Sequence, residues 1–238
     1  MNKQRVQAIF RKEMREFRRN KQVISTMMLS PIGFLVAPLV LLFTVPATDV
    51  STLYQYPVLL FTLALAALVP VTVGAYSITG EREQGTLEPV LGTPIEAREF
   101  LLGKALSVFV PGAAQAYLVF GLIDALVWLF RPAAVSAVAL RPYILVAQLI
   151  FTPLLVWLAV WVSMTISARV SDVRAAQQIG TVIMLPIIAL SALTGFHVIP
   201  ATITFGVIAG AVLIVLDVAG LRVVSRVFDR ERLVLGTH

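Results

Sequence analysis

The chain has 238 residues, of which 58% are hydrophobic and only 13% charged, with a formal net charge of +6. Soluble domains carry about 25% charged and roughly 45–50% apolar residues, so this composition excludes a water-soluble fold and requires a bilayer. The absence of cysteine removes disulfides and thiolate metal sites, and two histidines, His197 and His238, leave little from which to build a metal centre.

Residues 1–21 read as a helix lying at the membrane surface. At ~100° per residue, Val6, Ile9, Phe10, Met14 and Phe17 fall on one side, while Arg5, Arg11, Lys12, Arg15, Arg18 and Arg19 spread over the other. Glu13 projects into the apolar arc. An ion pair with a neighbouring arginine on the same helix accounts for it, as does a contact with another subunit. The apolar run from Val23 to Val45 exceeds the ~7–15 residues of a signal-peptide core, so it reads as a retained first span.

Charges then cut the chain into lengths near the ~20 apolar residues that a spanning helix needs. The predicted spans are residues 23–45, 56–79, 99–130, 142–168, 173–194 and 201–221, followed by a polar tail over 222–238. Ala175 to Leu216 is free of charge and too long for one helix, and Gly195 to Pro200 breaks it into a hairpin of two. Ser171 and Asp172 are placed to cap the fifth span near Val173. Prolines at 31, 38, 70, 111, 153 and 186 interrupt most spans, and each deprives a carbonyl of its helical partner.

The stretch Glu81 to Lys104 is the one long polar passage between spans. Gly85 and Thr86 can break the chain and cap a helical turn over Leu87 to Leu91, with Pro89 early enough to need no donor and Gly92 suited to end the turn. Thr93, Pro94 and Glu96 then offer a cap, a first-turn proline and an acid three residues on, the signal of a second helix start.

Glu81-Arg82-Glu83-Gln84-Gly85-Thr86-Leu87-Glu88, followed by Thr93-Pro94-Ile95 and Gly103-Lys104, resembles the signature of ABC-2 type transporter permeases. Arg11 to Arg15 followed by Pro31, and Arg174 to Gly180 leading to Pro186, resemble the family's start and fifth span. The resemblance implies an all-α membrane protein of six transmembrane helices, with an N-terminal amphipathic interfacial helix and a cytoplasmic coupling helix between spans 2 and 3. It also implies that Glu81, Arg82, Glu83, Gly85, Thr86, Leu87, Glu88, Pro89, Thr93 and Pro94 meet a separate ABC ATP-binding subunit. A second permease subunit, identical or paralogous, would complete a dimer, and most relatives export. The chain departs from the family between its last two spans, where about six residues replace the re-entrant helices of many relatives.

Topology follows from the basic residues: 17 of the 19 Lys and Arg fall on the side of the two termini and the Glu81 loop, and only Arg131 and Arg141 on the other. The termini and that loop are therefore expected in the cytoplasm, the protein in the plasma membrane, and the basic excess reflects the bilayer rather than nucleic acid. No phosphate-binding G-x-x-x-x-G-K-[ST] loop occurs; beside Gly103-Lys104, Arg98 stands where its first glycine belongs and Ala105 where a hydroxyl should ligate Mg²⁺. Any ATP and Mg²⁺ belong to a partner, and this chain needs no cofactor of its own. Nor do the spans hold a histidine cluster, an acid pair or a nucleophile with a base, which argues against a membrane enzyme.

Three polar residues inside spans are candidates for a substrate pathway: Gln115, Asp124 and Asp217. The two acids could select cations or polar groups, which leaves an ion-gradient-driven carrier or channel as the alternative function. They could equally pair with Arg131 and Arg222 near the span ends.

Overall fold

The computed structural model describes residues 2–46, 48–49, 57–83, 85 and 96–227. Among these residues every regular element is helical. The order is α1 (Lys3–Arg19), α2 (Lys21–Thr44), a 3-10 turn (Val58–Thr62) running into α3 (Leu63–Gly74), the short α4 (Thr79–Glu83), α5 (Ala97–Phe130), the short α6 (Ala133–Ala139), α7 (Pro142–Ser167), α8 (Val173–Gly195) and α9 (Ile203–Val227). Six stretches are long and apolar enough to cross a membrane: Val23–Thr44, Val58–Glu83, Arg98–Phe130, Ala133–Ser167, Val173–Gly195 and Ile203–Val227, spans 1 to 6 in order. The six-span all-α expectation holds.

Span 2 is the centre of the bundle. It is apolar on all sides and rich in alanine, and Ala64, Leu65, Ala66, Ala67 and Val71 are wholly enclosed. Spans 1, 3, 4 and 5 pack around it, and span 6 lies outside, against span 4. Small residues set the closest approaches: a Cβ on Gly180 would stand 2.6 Å from Val71, and one on Gly112 would stand 2.6 Å from Pro70. On span 6, a Cβ at Gly210 would stand 3.9 Å from Phe151 of span 4, whereas one at Gly206 would meet nothing within 4 Å.

The prolines explain two polar side chains of span 3. Pro31 removes the donor that the Met27 carbonyl would accept four residues on, and Gln115 Nε2 supplies it instead at 2.6 Å. Pro153 orphans the Leu149 carbonyl in the same way, and the Tyr117 hydroxyl donates to it at 3.1 Å. Gln115 therefore ties span 1 to span 3.

α5 begins at Ala97, with Glu96 as the capping residue and Glu99 completing the reciprocal box, while the helix start expected at Thr93 lies outside the described residues. A helix that the charge pattern did not reveal, α6, sits between spans 3 and 4, where Val135 and Val138 are buried. Asp172 does cap α8, its side chain accepting from the Ala175 amide at 2.7 Å. Residues 196–202 join spans 5 and 6, with His197 in the left-handed region at φ 59°.

Candidate functional site

Span 2 is broken where it approaches the polar loop. After Gly74 the chain tightens to 3-10 bonds, Tyr76 N–H to Val73 O at 3.1 Å and Ser77 N–H to Gly74 O at 3.0 Å, before α4 starts at Thr79. That change of pitch strips several buried backbone groups of helical partners, and an unpaired buried group costs about 1–3 kcal/mol. Side chains from three other spans supply the partners. Gln177 of span 5 donates to the Thr72 carbonyl at 3.1 Å. Ser167 of span 4 accepts from the amides of Ile78 at 3.1 Å and Thr79 at 2.9 Å, and donates to the Ala75 carbonyl at 2.9 Å. Lys104 of span 3 donates to the Ser77 carbonyl.

Lys104 is also the hub of a buried ion network. Its ammonium, fully enclosed, donates to Glu13 Oε1 of α1 at 2.9 Å as well as to Ser77, and forms an ion pair with Glu81 Oε2 of span 2 at 2.9 Å. Lys12 adds the second positive charge, 2.5 Å from Glu81 Oε1 and 3.3 Å from Glu16 Oε1. Glu13, Glu16 and Glu81 are spaced to hold a metal ion, yet the cation among their carboxylates is the Lys12 ammonium itself. Burial pushes the Glu13 carboxyl above the usual range, with Lys104 pulling against it. Burial likewise works against the Lys12 charge, but Glu81 and its neighbours hold that ammonium above its usual value.

Gly103 makes the network possible. A Cβ at this position would stand 2.6 Å from Ile9 Cγ2, so only glycine lets α1 press onto span 3 and bring Glu13 to Lys104. At the start of α1 the Asn2 amide and Arg5 both reach Glu99 of span 3. Glu13 thus pairs most closely across to span 3, and its partner on its own helix is Lys12, at 3.7 Å, in place of the expected arginine. Ile9, Glu13 and Phe17 form the buried stripe of α1, so protein covers much of its apolar face.

The Glu-Arg-Glu run divides its duties. Glu81 is buried in the network. Arg82, on the surface, donates to the carbonyls of Ala168 at 3.0 Å and Val170 at 3.3 Å, closing the end of span 4. Glu83 accepts from the Val173 amide at 2.9 Å, at the start of span 5. Gly85 follows in the left-handed region, φ 66°, as the break expected there requires. Thr86, Leu87, Glu88, Pro89, Thr93 and Pro94 lie outside the described residues. The loop that contains them is therefore entered from a point tied to α1 and to spans 3, 4 and 5.

The candidate pathway residues do not gather at this site. Gln115 is committed to Met27 and to Ser30, its amide 3.2 Å from the Ser30 hydroxyl. Arg131 donates to the Val45 carbonyl and lies over the Phe43 ring, and among the described residues Asp124 makes no ion pair with it. Asp217 makes none with Arg222, so pairing with the nearby arginines does not account for either acid. Each acid keeps one carboxylate oxygen buried and without a partner.

Sequence reasoning missed Lys12, Lys104, Ser167 and Gln177 as parts of one site. Two signals were present: an acid in the apolar arc of α1, and a lysine inside the third span. A family model for ABC-2 type transporters matches residues 4–209, which takes in the break in span 2 and every residue of the ion network. The chain belongs to the ABC-2 type transporter family. It is accordingly a multi-pass transmembrane permease of an ABC-2 transporter. No curated protein matches the chain.

Proposed function

We infer that this ABC-2 permease is the substrate-conducting half of an exporter, driven by a separate ATP-binding subunit that docks on the loop after Glu83. ATP and Mg²⁺ reside on that subunit, and two permease subunits, identical or paralogous, enclose the pathway in the plasma membrane. Both termini and the loop face the cytoplasm, in keeping with the distribution of Lys and Arg. The observation that carries the reading is the break in span 2 immediately before Glu81-Arg82-Glu83, whose backbone groups are held by spans 3, 4 and 5. Closure of the ATP-binding subunits would push on Leu87, Glu88 and Pro89. Glu81, Arg82 and Glu83 would pass that displacement to α1 and three spans at once, as packed elements with discrete arrangements do.

The test is co-purification of the tagged chain with the ATP-binding subunit encoded beside it, comparing wild type with a Thr86→Ala, Leu87→Ala, Glu88→Ala variant. Loss of the subunit in the variant supports the docking loop, and no association in either form refutes the reading. Gly85→Pro and Glu88→Lys should then uncouple transport while membrane insertion persists. The unpartnered oxygens of Asp124 and Asp217 favour one alternative, an ion-gradient-driven carrier. Its signature is flux that follows an ion gradient without ATP.

A further inference from the structure

The face of α1 that points away from the protein carries a second recognition surface. Arg11, Arg15, Arg18 and Arg19 are all exposed, and all lie within roughly 60° of the point opposite the buried stripe Ile9, Glu13 and Phe17. Among the described residues none of the four has a carboxylate at ion-pair distance, although Glu16 lies on the same helix; it pairs with Lys12 instead. The ion network thus absorbs the acids of α1 and leaves the arginines as uncompensated charge.

Where that charge points follows from how α1 sits. Asn2 meets Glu99, Val6 and Ile9 meet Gly103, and Glu13 meets Lys104, so α1 is held against the first two turns of span 3, where that span passes from charged to apolar residues. Half-buried Phe10 and Met14 form one edge of the arginine face, and Lys12 and Glu16 form the other. A basic face turned away from the protein at the charged end of a span is at the depth of lipid headgroups.

We propose that the arginine face of α1 binds anionic phospholipid headgroups, so that the permease keeps a shell of acidic lipid beside the helix that is tied through Lys104 to the break in span 2. Arginine suits this partner because its planar fork donates two parallel hydrogen bonds to a phosphate. The proposal is independent of the ATP-binding subunit. An acidic protein surface is disfavoured as occupant, because lipid headgroups surround a membrane-embedded bundle at the ends of its spans.

The experiment measures association of spin-labelled phosphatidylglycerol and phosphatidylcholine with the full-length permease in reconstituted bilayers. One cation beside an anionic surface changes partitioning by about fivefold. Wild type is therefore expected to favour phosphatidylglycerol at least several-fold, and Arg11→Gln, Arg15→Gln, Arg18→Gln, Arg19→Gln together should bring the two lipids close to parity. Salt at about 1 M, where the Debye length is ~3 Å, should do the same to wild type. Arg222→Gln with Arg226→Gln removes exposed cations of span 6 instead and should leave the preference in place. Should the fourfold variant fail to insert, the pairs Arg11/Arg15 and Arg18/Arg19 are each expected to lose part of the preference.

No preference in wild type, or a preference that survives the fourfold change, overturns the proposal. Displacement of the lipid by inorganic phosphate beyond that by chloride at equal ionic strength would overturn it in favour of a free-phosphate site. Loss of the ATP-binding subunit by the fourfold variant, with lipid preference intact, would overturn it in favour of a protein contact.

Discussion

Replacing Lys104 with methionine should release α1 from the bundle, and charge counting fixes how much and how to rescue it. The native network sets Lys12 and Lys104 against Glu13 and Glu81, two charges of each sign, with Glu16 joining at the exposed edge. Methionine keeps the length and apolar stem of lysine but leaves two buried carboxylates sharing one half-exposed ammonium. Removing one partner of a buried pair costs about 3–5 kcal/mol, because the charge left behind is uncompensated. The low end applies here, about 3 kcal/mol, since Lys12 remains 2.5 Å from Glu81. Adding Glu13→Gln restores one charge of each sign, so the double variant should be more stable than Lys104→Met alone. The expected coupling between the two sites is at the upper part of the ~0.5–3 kcal/mol range for residues in contact. Denaturant unfolding in detergent measures the cycle, and hydrogen exchange along α1 reports whether the helix has come free. Losses that simply add within about 0.5 kcal/mol, or α1 amides unchanged in Lys104→Met, would refute the hub reading.

Three other outcomes follow from the same geometry. Gly103→Ala should lower thermal stability in detergent by about 1–3 kcal/mol through overpacking against Ile9, whereas Gly121→Ala, on the same span with nothing within 4 Å, should not. Ser167→Ala orphans the amides of Ile78 and Thr79, so hydrogen exchange should accelerate there, with a loss of about 1–3 kcal/mol per unsatisfied group; unchanged exchange would mean that the break does not depend on Ser167. Glu13 gives docking a pH dependence. Its carboxyl is raised on docking, so the docked state binds the proton more tightly; this contribution is full below the ordinary value of 4.5 and is lost as pH rises through the raised one. The groups facing it are Lys104, Glu81 and Lys12, and Lys12, also raised, holds its own contribution until alkaline pH. Protection of α1 amides, taken relative to their intrinsic base-catalysed exchange, should therefore fall as pH rises above 4.5, and Glu13→Gln should flatten that fall.

The sequence by itself determined what the bilayer dictates. Apolar length and the placement of charge define six spans, the hairpin at Gly195 and the polar passage after Glu81, because lipid penalises every charge left inside it and each spanning helix closes its own backbone bonds. Local chemistry also showed through in the Asp172 cap and the break at Gly85, since both depend on neighbours within a few residues. The tertiary structure alone decided which residues meet across the chain. Glu13 and Lys104 are separated by 91 positions, and nothing in either neighbourhood reveals the other. Gln115 likewise finds its partner, the Met27 carbonyl that Pro31 leaves without a donor, 88 positions away. The break in span 2 was hidden because its sequence, Ala75 to Thr79, carries no charge and no proline. Its cause lies in Ser167, Gln177 and Lys104, side chains on three other helices that offer the backbone a better partner than its own fourth neighbour.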